Sequence, residues 1–126
     1  MPDLTAVTEG EMNYMIMVYE TEAAFHARSD EKKGAYWGAY KAYTQALREA
    51  GVMAGGHALQ PAFSATTVRL REGARKVQDG PYAEAKEQLG GYCIVDVPDL
   101  GTALEWAARC PAAADGAVEV RPILSM

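Results

Sequence analysis

Long apolar runs are missing from this chain, and that excludes a helical membrane span, which needs roughly 20 consecutive apolar residues. A basic excess is missing too. The 12 Lys and Arg against 17 Asp and Glu give a formal charge of −5, which argues against a nucleic-acid surface built on clustered cations. Arg69, Arg71, Arg75 and Lys76 form the one local basic group, and they flank Glu72-Gly73 as the solvated end of a hairpin would. Cysteine and histidine are scarce, with two of each. Cys93 and Cys110 lack C-x-x-C spacing and lie among apolar or small residues, so buried free thiols are expected rather than a zinc site or a disulfide framework. Two isolated histidines do not make a transition-metal site, and none is expected. No G-x-G-x-x-G or P-loop is present to cradle phosphates, and no serine sits in G-x-S-x-G. Met1–Gly10 has neither the basic start nor the apolar core of a signal peptide. A polar leader over 1–12 and a cytoplasmic location are therefore expected.

What is present fits one domain over 1–126. Hydrophobic residues make up 49% and charged residues 23%, enough apolar surface for a core without disulfides or metals. Asn13 to Tyr19 is short, apolar and rich in β-formers, a buried strand by pattern. A connector containing His26 follows. Ser29-Asp30-Glu31 then places acid ahead of a helix, whose face is Tyr36, Tyr40, Tyr43, Leu47 and Ala50; Gly51 ends it. Val52-Met53-Ala54 starts a second strand, and Gly55-Gly56 inside it predicts a bulge or a close backbone approach. Thr66 to Arg71 alternates cleanly and turns at Glu72-Gly73 into a short strand around Lys76-Val77-Gln78. Tyr92 to Val97 is apolar on both faces, so it is predicted inside a sheet. Pro98-Asp99 caps a helix with Leu100, Leu104 and Ala107 on its apolar side. Pro111 stops that helix. Val118 to Arg121 forms the last strand, with Pro122 suited to an edge.

Two β-α-β units in tandem predict an α+β fold, a ferredoxin-like sandwich with helices on one face of an antiparallel sheet. The other sheet face then lacks cover, and a homodimer through that open face is the expected solution.

Asp79 to Tyr92 can be read in two ways. Helix formers run from Pro81 to Leu89, yet two turns are marginal and the run has no broad apolar face. An extended or irregular loop is the other reading. Asp79-Gly80-Pro81-Tyr82-Ala83-Glu84-Ala85-Lys86-Glu87 resembles the D-G-P-F-A-E-T-K-E stretch of the YCII-related or DGPF family. Gly90-Gly91-Tyr92, Leu104 to Arg109, Val118 to Pro122, Gly55-Gly56 and Ala65 to Arg69 extend the likeness over nearly everything after the leader. Tyr82 and Ala85 depart from the usual Phe and Thr, and neither change removes a charge. The resemblance implies a dimeric α+β barrel type of ferredoxin-like fold, a cleft beside the sheet, and a His-Asp pair in place of a cofactor. Where the wider family often has a histidine on its first helix, this chain has Tyr36, Trp37 and Tyr40. The resemblance also implies association with extracytoplasmic-function sigma factors.

His57, with Asp79 orienting its ring, is accordingly the expected catalytic pair, since imidazole titrates near neutral pH. The plainer reading is a His57 hydrogen-bonded within the sheet and an Asp79 capping the Gly80-Pro81 turn. Glu84, Lys86, Glu87 and Arg121 are the expected substrate contacts, against a solvated loop and an Arg121 paired with Glu119 or Glu87. His26 is expected at the surface. Tyr36, Trp37, Tyr40 and Tyr43 are expected to pack the core or a dimer contact rather than line a ligand site. The functional expectation is a cofactor-independent enzyme doing His/Asp acid–base chemistry on a small oxygenated metabolite. The alternative is a non-catalytic metabolite-binding or regulatory module.

Overall fold

The structure is a computed structural model and describes residues 12–125. The expected polar leader lies outside the described residues, apart from its last position, Met12. The chain runs β1 (Asn13–Thr21), α1 (Glu22–Ala27), α2 (Lys33–Glu49), β2 (Met53–Ala58), β3 (Thr66–Arg71), β4 (Ala74–Asp79), β5 (Glu87–Asp96), α3 (Leu100–Ala108) and β6 (Ala117–Pro122). Short 3-10 turns at Ala62–Ser64 and Pro111–Ala113 complete it.

β2, β5, β1 and β6 form one sheet in that order, antiparallel throughout. With helices after β1 and after β5, this is the ferredoxin-like α+β arrangement expected from the sequence. β5 is interior and β6 is an edge, again as the patterns predict.

β1 alternates strictly. Tyr14, Ile16, Val18 and Glu20 are buried on the helix side. There they meet Tyr43 and Leu47 of α2, Cys93 and Val95 of β5, and Ala103 and Ala107 of α3 in one core cluster that leaves Glu20 at its margin. The Tyr43 hydroxyl donates to the Trp106 carbonyl at 2.9 Å and ties α2 to the α3 layer. Met15, Met17 and Tyr19 occupy the other face, opposite Ile94, Tyr92 and Leu89 of β5, and none of them joins the core cluster.

Two element boundaries differ from the sequence reading. The connector with His26 contains a helix, α1, because the Thr21 hydroxyl caps it by accepting from the Ala24 amide at 3.2 Å and Phe25 is buried beneath it. β5 starts at Glu87, five residues before Tyr92, because β1 continues to Thr21 and pairs with it there. The expected irregularity at Gly55-Gly56 is present, with the β2–β5 register shifting between Met53 and Gly55.

β3 and β4 form a separate two-stranded sheet. Glu72 and Gly73 both have positive φ, 53° and 77°, as a two-residue hairpin of the primed type requires. Residues 80–86 after the hairpin are a loop, not a helix. Gln88 fastens that loop by donating from Nε2 to the carbonyls of Ala83 at 3.0 Å and Ala85 at 3.1 Å.

Candidate functional site

Burying a carboxylate without a partner is costly, so a charged residue on the core face of a strand demands explanation. Glu20 is that residue, 2% exposed at the end of β1. Arg28, at the C-terminal end of α1, places Nη2 2.7 Å from Glu20 Oε1. The Tyr36 hydroxyl lies 2.8 Å from Oε1 and 2.6 Å from Oε2 of the same carboxylate. Arg28 is engaged elsewhere too. Its Nε donates to the Tyr36 hydroxyl at 3.0 Å, its Nη2 to the Gly90 carbonyl at 2.8 Å, and its Nη1 to the Leu59 carbonyl. Among the described residues no buried side-chain nitrogen or oxygen lacks a partner.

Gly90 makes this geometry possible. A Cβ there would lie 2.5 Å from Glu20 Oε1 and 2.9 Å from Arg28 Nη2. Its neighbours in the sheet are similarly tight. A Cβ on Gly56 would meet the Tyr92 carbonyl at 2.7 Å, and one on Gly91 the His57 carbonyl at 3.1 Å.

This cluster forms one end of a cavity of about 500 Å³ between α2 and the β2–β5 edge. Tyr36, Trp37, Tyr40, Tyr43 and Leu47 line the helical wall. The aromatic residues expected to be packing alone therefore also face a ligand-sized space. Val18, Met53, Gly56, Gly91 and Cys93 line the sheet wall. Lys41, Thr44 and Arg48 border it as well. A second cavity, of about 370 Å³, opens between α2 and the Pro111–Asp115 region. Glu20, Tyr36 and Tyr40 border both cavities.

Burial raises the Tyr36 and Tyr40 phenols well above their ordinary value, and the Glu20 charge pushes each further the same way. Both stay protonated, so Tyr36 is a fixed hydrogen-bond donor to the carboxylate. For Arg28, burial works toward a lower value, but the hydrogen bonds with Glu20 and Tyr36 and their attraction outweigh it and raise it. Cys93 and Cys110 are buried free thiols, as expected. Burial pushes Cys93 up to about 12 and raises Cys110 as well.

The residues singled out in the sequence are distributed elsewhere. His57 also borders the cavity, but it is solvent-exposed rather than lodged in the core. It pairs with Tyr92, which pairs with Met17, so its side chain belongs to the face of the sheet away from the helices. There Nδ1 lies 2.8 Å from the Tyr92 hydroxyl. Asp79 ends β4 in the separate hairpin, opposite Thr66, and does not border the cavity. No hydrogen bond or ion pair among the described residues joins it to His57. Glu84 and Lys86 are exposed in the loop, and Glu87 opens β5 opposite Thr21. Arg121 lies on the far edge strand, 3.7 Å from Glu119. His26 is on the surface of α1, 3.6 Å from Glu22.

Sequence reasoning missed Glu20 and Arg28. The available signal was Glu20 itself, continuing the period-two apolar series Tyr14, Ile16, Val18 on the face destined for the core.

A profile of the YCII-related domain matches residues 12–126. The chain belongs to that family. An uncharacterised protein of Rhizobium meliloti (strain 1021) is 34% identical over 114 residues, covering 89% of this chain and 92% of that relative. In this YCII-related chain, the Gly90-Gly91-Tyr92 motif has a structural meaning. Gly90 admits the Glu20–Arg28 pair, Gly91 lets β2 approach, and Tyr92 holds His57.

Proposed function

We propose that this protein is a cofactor-independent enzyme that moves a proton on a small, oxygenated, largely apolar molecule held between α2 and the β2–β5 edge. One observation carries the reading: a buried carboxylate, fixed by Arg28 and Tyr36, ends an otherwise mostly apolar cavity of about 500 Å³. That size falls within the roughly 300–1,000 Å³ of small-molecule sites. Glu20 supplies the proton acceptor, and Arg28 together with the Tyr36 hydroxyl, which donates to that carboxylate, holds it in place. A carbonyl or hydroxyl arriving at that end would meet oriented groups, which is where positioned acid–base catalysis gains its rate.

A second placement of the chemistry keeps His57 as the base and Asp79 as its orienting partner, with Glu84, Lys86, Glu87 and Arg121 as substrate contacts. The 2.8 Å contact between His57 Nδ1 and the Tyr92 hydroxyl supports the His57 part of this placement, because it holds the ring in Asp79's stead and leaves Nε2 for a substrate. A homodimer through the helix-free face, where Met15, Met17, Tyr92 and Ile94 lie, would enclose this second site. Binding without turnover, in a cytoplasmic regulatory role beside a sigma factor, is the non-enzymatic counterpart. It is supported by how fully Arg28 already occupies Glu20.

Deuterium exchange from D2O into a panel of small ketones, lactones and phenols, followed by proton NMR, tests these readings. The expected result is catalysed exchange that falls by about 100-fold or more in Glu20→Gln and Tyr36→Phe and persists in His57→Ala. Exchange that survives Glu20→Gln but vanishes in His57→Ala would move the chemistry to the second placement. Ligand-induced shifts around Tyr36 without any exchange would leave binding alone.

A further inference from the structure

We infer that the ligand of the α2 cavity is an organic anion, its carboxylate held at the mouth by Lys41 and Arg48. This rests on the cavity reading above and adds the class of molecule. Three cations, Arg28, Lys41 and Arg48, border the cavity with a single carboxylate, Glu20, in a chain whose acids outnumber its bases 17 to 12. The sign of the site is thus opposite to that of the protein.

Arg28 and Glu20 neutralise each other, and four guanidinium N–H groups of Arg28 are already donated to Glu20, Tyr36, Gly90 and Leu59. Arg28 is therefore not the anion's partner. Lys41 and Arg48 remain. Among the described residues neither takes part in an ion pair. They are seven residues apart, with Thr44 between them, so the three share one stripe of α2. That stripe borders the cavity alongside the aromatic one.

A solvated charged face is the ordinary explanation for such residues. It serves for Arg48, whose place in the last turn of α2 complements the helix dipole. Lys41, two turns earlier, gains nothing from the dipole, and it borders the same cavity as Tyr40 and Trp37. The layout fits a molecule with an aromatic or aliphatic body between Trp37, Tyr40 and Tyr43. Its carboxylate would be outermost, and a second oxygen would reach Tyr36 and Glu20.

The probes are 3-phenylpropanoate and its uncharged isostere 3-phenylpropanamide, titrated by amide proton–nitrogen NMR into the wild type and a Lys41→Met, Arg48→Met double variant. Both positions are exposed, and methionine keeps the apolar stem, so folding is retained. The carboxylate is expected to bind roughly fivefold to tenfold more tightly than the amide, as two solvent-screened ion pairs would give. That preference should disappear in the double variant and weaken with added salt. Equal binding of the two probes to the wild type, with shifts centred on Tyr36, Tyr40 and Leu47, would overturn the anion inference and leave the cavity reading standing. A carboxylate preference that persists in the double variant would overturn the assignment to Lys41 and Arg48. Binding of neither probe at millimolar concentration would overturn both.

Discussion

Two polar pairs lie on opposite faces of one sheet. On the helix side, Glu20 and Arg28 are buried and enclosed by Tyr36, Phe25 and Gly90. On the helix-free side, His57 and Tyr92 meet across two strands with His57 open to solvent. The hydrogen-bond lengths are similar, 2.7 Å and 2.8 Å, but the energetics are not. A charge removed from water depends wholly on its partner, whereas an exposed imidazole exchanges a phenol for water at little cost. The first pair is thus committed to the fold as well as to any chemistry. The second is free to act without holding the structure.

The sharpest way to break this contrast is Arg28→Met, which leaves the Glu20 carboxylate buried without a cation. Unfolding free energy from urea titration should fall by roughly 3–5 kcal/mol. Adding Glu20→Met should recover most of that loss, because no unpaired charge would remain. A double variant as unstable as the single one would sink the argument.

Next in size is Gly90→Ala, whose methyl would press on Glu20 Oε1 and Arg28 Nη2. A loss of about 1–3 kcal/mol is expected from overpacking of this kind, with changed NMR shifts at Tyr36 and Phe25. Wild-type stability in this variant would mean that the pair shifts freely, and the helix side would no longer differ from the other.

Alkaline pH should separate the faces more gently. On the helix side Cys93 is raised from 9.0 to about 12, and the Tyr36, Tyr40 and Tyr43 phenols are raised by burial. These groups are neutral in the fold and ionise more readily once unfolded. Their contribution is complete below pH 9 and is lost as pH climbs from there through the folded value of about 12. A melting temperature that stays level up to about pH 11 would contradict that linkage.

The smallest effect belongs to His57→Ala. Its stability should change by no more than about 0.5 kcal/mol, as for other surface positions. A larger loss would show that the exposed pair also supports the sheet.

The fold was readable because its signals are local. The alternation in β1 and β3, the Asp99 cap accepting from the Thr102 amide at 2.8 Å, and the stripe from Tyr36 to Leu47 each act within a few residues. At residues 80–86 local propensity left helix and loop both open, and the structure has the loop. The Glu20 cluster was not readable in this way. It joins the end of β1 to a residue eight positions later and then to a carbonyl 62 positions beyond that. No periodicity encodes such a meeting. His57 and Asp79, the residues with the most recognisable chemistry, drew notice instead. Folding put them in different sheets.

Glu20, Tyr36 and Tyr40 also form a partition between two cavities. A molecule filling the larger one would therefore press on side chains that also wall the smaller, which is lined mostly by alanines between Lys32 and Asp115. Any shift of Glu20, Tyr36 or Tyr40 that reshapes one cavity reshapes the other.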